Sequence, residues 1–190
     1  MMNTQGRMFA ARQLACTALL TLLAIAGART APAAELIPSF GVTKSMDANA
    51  SSAQGFGGLA IRTSLFPFLK AEGGIAYRQD SFASGDLKVR QWPVTVSAWL
   101  TPFPMVYAGG GLGWYRTTYD YRSDLPYQDS TIRTMGVHIG GGVEVPVAER
   151  MSLDLNGRYV FMQQDANNIQ VPTSFNPDFW NLTVGLAIKL

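Results

Sequence analysis

Eight segments of about ten residues place apolar side chains at every second position and polar or small ones between, and this alternation confines the chain to β-structure. They run over residues 37–46, 55–65, 69–79, 87–101, 105–119, 131–145, 151–162 and 179–190. Successive side chains on a strand point to opposite faces, so each segment has an apolar face and a polar one. In "TMGVHIGGGVEVPV", residues 134–147, one face carries Met135, Val137, Ile139, Val143 and Val145. Its other face carries Gly136, His138, Gly140, Gly142 and Glu144.

A soluble half-buried strand turns its aliphatic face to a core and its polar face to water, and its glycines then weaken it for no gain. A membrane barrel turns the aliphatic face to lipid, and small inward residues make room for large polar neighbours in a narrow interior. The connections favour the barrel. "FPF", "PFP" and "PVAER" are short, whereas "DANASSAQ", "DSFASGD", "DYRSDLPYQDS" and "QDANNIQVPTSFNPD" are longer and polar. Three short turns alternating with four longer loops are what an eight-stranded up-and-down barrel with both termini at the periplasmic end requires. The register is also fixed: Leu69, Ala71, Ile75 and Tyr77 oppose Lys70, Glu72 and Arg78, and Leu153, Leu155 and Tyr159 oppose Asp154, Asn156 and Arg158. Opposite parity would face these cations to lipid at about 2–4 kcal/mol each near the midplane. Tyr77, Trp92, Trp114, Tyr159, Phe161 and Trp180 share the apolar parity near the long-loop ends, and Phe66, Phe68 and Phe103 lie by the short turns, as an interfacial aromatic belt does.

The first residues are read separately. Arg7 and Arg12 without an acid, the apolar run "LACTALLTLLAIAGA" and the small residues of "APA" form the three parts of a cleaved secretory signal, residues 1–33, leaving a barrel domain of residues 34–190. Cys16 leaves with the signal, so no disulfide or thiol chemistry is expected. Without Arg7, Arg12 and Arg29 the chain has 12 basic and 13 acidic residues, which excludes nucleic-acid binding.

The terminal "TVGLAIKL", with Thr183, Gly185, Ile188 and Leu190, looks like the signal that delivers outer-membrane barrels to their assembly machinery. With "MVYAGGGLGWY" and "GGGVEVPVAERMSLDLNGRYVF" it resembles the small OmpA/OmpX-type outer-membrane β-barrel family over nearly the whole of residues 34–190. Such signals commonly end in an aromatic residue, from which Leu190 departs. The resemblance implies an all-β, eight-stranded antiparallel up-and-down transmembrane barrel in the outer membrane of a Gram-negative cell, monomeric, with the assembly machinery as its partner during biogenesis.

The inward parity collects Arg62, Lys70, Arg78 and Arg158 against Glu72, Glu144 and Asp154, with Gln91, Thr95, His138, Asn156 and Asn181 between them. Eight strands leave room only for side chains, so these groups are expected to pair into a plug of the lumen. Small outer-membrane barrels can be enzymes, lipid A deacylases and acyltransferases among them, and His138 is the one histidine that could act as a general base. The deacylase resemblance calls for a serine two residues later, where Gly140 stands. No metal-ligand spacing accompanies His138, and "GGGLG", residues 109–113, lies in mid-strand with no helix after it to hold a nucleotide phosphate. Catalysis, metal and cofactor are therefore not expected. Lys44, Lys88, Arg90, Arg116 and Arg133 have outward parity just beyond the apolar band at the long-loop end, a placement suited to the phosphates of lipopolysaccharide and other outer-membrane lipids. The expected role is that of an envelope structural or interaction protein acting through its outer loops, whose composition names no partner. The rival roles are a narrow porin-like channel, an outer-membrane lipid-modifying enzyme and a soluble periplasmic barrel that binds an apolar ligand.

Overall fold

The computed structural model describes residues 34–47, 50, 52–82, 87–121, 130–163 and 176–190. The proposed signal segment, residues 1–33, lies outside them, as do residues 48–49, 51, 83–86, 122–129 and 164–175 of the longer connections. Eight strands follow one another: β1 (Ala34–Ser45), β2 (Gln54–Phe66), β3 (Leu69–Phe82), β4 (Leu87–Phe103), β5 (Val106–Tyr121), β6 (Ser130–Ala148), β7 (Met151–Met162) and β8 (Phe179–Lys189). Each pairs antiparallel with the next, and β1 pairs with β8, so the sheet closes into a barrel. All eight alternating segments are strands, most of them longer at one end or both than the periodicity shows, because pairing carries the ladder into the polar stems.

Three tight turns join β2 to β3, β4 to β5 and β6 to β7. Proline at position 67 or 104 presets the first turn residue, and Met105 takes a left-handed conformation, φ 70°, a place that glycine usually fills. The wall is apolar outward: Phe40, Ile61, Ile75, Val96, Leu112 and Ile139 are among many large hydrophobic side chains left exposed. The buried residues are mostly polar or charged, the reverse of a soluble core.

The glycines of β5 and β6 have a packing reason. A Cβ on Gly113 would lie 2.7 Å from the ring of Tyr115, and one on Gly136 would lie 2.9 Å from the same ring. Gly142 leaves the corresponding room for Tyr107. Large rings fit against the inner wall only where the positions beside them, on β5 for Gly113 and on β6 for Gly136 and Gly142, carry no side chain, so these glycines are what let β5 turn large aromatics inward.

Candidate functional site

The lumen is built around Arg62 of β2. The short turn between β2 and β3 places Glu72 directly opposite it, and the guanidinium meets this carboxylate through Nε at 2.9 Å and Nη2 at 2.8 Å. Closure of the barrel brings Asp154 of β7 to 2.6 Å from Nη1, and Glu144 of β6 to 3.4 Å from the same nitrogen. Lys70 Nζ lies 2.8 Å from Glu144 and 3.6 Å from Glu35. Arg158 Nη2 reaches the second oxygen of Glu72 at 2.6 Å, and its Nε donates to Asn156 Oδ1 at 2.7 Å. Tyr107 OH accepts from Asn156 Nδ2 at 3.0 Å and donates to Asp154 at 2.9 Å. Ion pairs this well buried persist only when their remaining donors and acceptors are also met, and here each guanidinium spends several donors at once.

Of the inward groups singled out in the sequence, Arg62, Lys70, Glu72, Glu144, Asp154, Asn156 and Arg158 are linked through this network, and His138 stands next to it. Arg78 does not join them. It sits toward the long-loop end, where it pairs with Asp80 of its own strand, donates to Gln91 Oε1 at 2.9 Å and lies 3.6 Å over the ring of Phe179. Gln91 Nε2 donates in turn to Thr117 Oγ1 at 2.9 Å. Between the two groups lies a cavity of about 60 Å³, with Glu72, Arg158, Tyr115, Phe179 and Asn181 in its lining.

His138 is almost completely buried, and its Nε2 is hydrogen-bonded to Ser97 Oγ at 2.8 Å. The sequence offered no serine near this histidine. Ser97 is 41 residues away and meets it because β5 places the small Gly111 between them, paired with Ser97 on one side and His138 on the other. Among the described residues His138 Nδ1 has no hydrogen-bond partner, so none of them is the third group that orients a catalytic imidazole. Trp99, fully buried, packs beside it at 6.3 Å between ring centres, and Arg158 lies over the Trp99 ring at 5.0 Å. Trp99, Tyr107, Tyr115 and Phe179 are thus inward residues that the charge pattern did not reveal. Their parity was the available signal, since Trp99 alternates in step with Gln91, Thr95 and Ser97.

On the outer wall Lys44, Lys88, Arg90, Arg116 and Arg133 are all exposed. They are not equivalent: Arg90 Nε lies 2.5 Å from Asp120, Lys44 stands opposite Trp180, and Arg116 stands opposite Arg133. The terminal residues form no cluster. Thr183 and Gly185 face inward on β8, whereas Ile188 and Leu190 face outward, and Leu190 N donates to Ala34 O at 2.8 Å across the closing seam.

Solved barrels show the same architecture. Neisserial surface protein A aligns with a TM-score of 0.65 at 18% identity, over 83% of this chain and 97% of that one. The N-terminal β-barrel domain of Pseudomonas aeruginosa OprF gives 0.56 at 13% identity, over 84% and 98%. Ail, the attachment invasion locus protein of Yersinia pestis, gives 0.55 at 12% identity, over 84% and 99%. At such identities the likeness is one of fold. A comparison with curated protein sequences gives no match. The family model of the outer membrane protein β-barrel domain covers residues 14–187, and with a closed eight-stranded barrel, polar within and apolar without, the chain belongs to that family.

Proposed function

We propose that this outer-membrane barrel is closed by its own side chains and serves as an envelope structural and interaction protein, presenting its longer loops outside the cell. The observation that carries the reading is the Arg62 network, in which groups from β2, β3, β5, β6 and β7 meet across the lumen. A guanidinium held by three carboxylates and a tyrosine hydroxyl fills the space a solute needs and resists displacement. In this reading residues 1–33 are a signal removed on export, the short turns face the periplasm, and β8 with Thr183, Gly185, Ile188 and Leu190 engages the assembly machinery. The exposed cations Lys44, Lys88, Arg90, Arg116 and Arg133 then meet lipopolysaccharide phosphates in the outer leaflet. Ser97 and His138 contribute a buried hydrogen bond and no chemistry, since lipid substrates lie outside the wall that encloses them.

A narrow channel is the second reading, favoured by the cavity beside Arg158. Planar-bilayer recording separates the two. The wild type is expected to pass little steady current, and Glu72→Ala, which strips a carboxylate shared by Arg62 and Arg158, is expected to raise it. Large, well-defined openings of the wild type would replace the plug with the channel. His138→Ala is expected to leave lipid A composition in cells unchanged, and a change that depends on this residue would establish the enzyme instead.

A further inference from the structure

The outward face of the β5–β6 ladder changes in character step by step toward the long-loop end. Leu112 pairs with Val137, then Trp114 with Met135, then Arg116 with Arg133, then Thr118 with Thr131. An aliphatic pair, a tryptophan–methionine pair, a cationic pair and a hydroxyl pair therefore follow one another along one strip of the wall. Two arginines directly opposite on one face of a sheet repel, and a chain gains nothing from the placement unless an anion sits between them. Among the described residues neither Arg116 nor Arg133 makes an ion pair, in contrast to Arg90 beside Asp120. Above them Thr118 Oγ1 and Thr131 Oγ1 are hydrogen-bonded to each other at 3.1 Å on an exposed surface. Below them Trp114 and Met135 are about half exposed, as is Trp92, which stands opposite Arg116 on its other side.

We propose that Arg116 and Arg133 clamp a single phosphomonoester carried by a membrane lipid, with the lipid's acyl chains lying along the Trp114–Met135 and Leu112–Val137 pairs. The proposal rests on the reading of the rim cations given above and narrows it from a belt of five charges to one site. A phosphomonoester carries close to two negative charges at neutral pH, which balances two guanidinium groups, and its three terminal oxygens suit two planar forks approaching from opposite strands. A phosphodiester brings one charge and fewer free oxygens. The threonine hydroxyls stand where the sugar or water side of the headgroup lies. The strip thus matches the axis of a lipid in order: chain, interface, phosphate, polar head.

The test is native mass spectrometry of the folded barrel in detergent, titrated with hexa-acylated bisphosphorylated lipid A, with the same lipid dephosphorylated, and with inorganic phosphate alone. One phosphorylated lipid per barrel is expected to be retained, and retention is expected to fall by about tenfold or more in Arg116→Gln and in Arg133→Gln. Saturable binding of the dephosphorylated lipid at equal strength would overturn the clamp, and binding of inorganic phosphate as tight as that of the lipid would overturn the lipid source. Equal losses from Lys44→Gln and Arg116→Gln would overturn the single site while keeping the rim reading, whereas retention indifferent to all five cations would overturn both. Arg133→Glu supplies a readout that a purely structural pair would not give. It turns the repulsive pair into an attractive one, so in lipid-free detergent its urea midpoint is expected to rise while lipid retention is lost. A lowered midpoint would show instead that the two arginines brace the wall, and would end the proposal. Altered migration of the unheated protein on gels identifies any variant whose barrel has not closed.

Discussion

The two halves of the lumen hold charge in different ways. Toward the short turns, Arg62 lies between carboxylates from β3, β6 and β7, and Glu72 is shared by guanidiniums from β2 and β7. Every ion pair there crosses from one strand to another, many between strands that are not neighbours. Toward the long loops, Arg78 pairs with Asp80, two residues further along its own strand, and otherwise meets an amide and a ring. Among the described residues its Nε has no hydrogen-bond partner, nor has Oδ1 of Asn181, which lines the cavity below. A pair within one strand satisfies charge but ties nothing together, whereas the Arg62 network braces opposite walls. The bracing of the barrel, and the plug proposed above, therefore belong to the same half.

The sharpest way to break this contrast is to remove the shared carboxylate. Glu72→Ala leaves two buried guanidiniums short of a partner and is expected to cost on the order of 3–5 kcal/mol in urea unfolding from lipid vesicles. Asp80→Ala is the matching change in the other half. Arg78 keeps Gln91 and Phe179 and lies nearer the loop end, so a loss of roughly 1–3 kcal/mol is expected by the same measurement. Equal losses would mean that the halves are braced alike. The smallest effect is expected from Asn181→Leu, which removes an unpartnered acceptor and fills part of the cavity. Its stability should stay within about 1 kcal/mol of wild type, and a larger loss would show that the cavity holds water bound to this amide.

Much of this arrangement can be read from parity. A strand has only two faces, so Lys70, Glu72 and Arg78 point inward once Ile75 and Tyr77 point to lipid, and the two-residue turn after Phe66 brings Arg62 to Glu72. Meetings that depend on closure are another matter. Asp154 reaches Arg62 across 92 residues, and Ser97 reaches His138 across an intervening strand, distances for which a local pattern carries no information. The inward aromatics were obscured for a different reason. Rings suit the lipid interface as well as a lumen, so Trp99 and Tyr115 carry no chemical mark of their face, and only Gly113 and Gly136 beside Tyr115 betray the space it takes. The rim cations were legible as a group, but the opposition of Arg116 to Arg133 appears only with the register.

The seam between β1 and β8 sets the order in which such a molecule can be made. Seven of the eight ladders join strands that follow directly in sequence and can form as soon as each hairpin is present, whereas the eighth joins the first strand to the last. Until it forms, the sheet has two open edges whose amides and carbonyls are without partners. Hydrocarbon does not tolerate such edges, and in water they recruit other chains. Pairing of Phe40 with Val184 and of Val42 with Leu182 carries the largest loop-closure cost of the eight ladders, so it is expected to form last and together with entry into the bilayer.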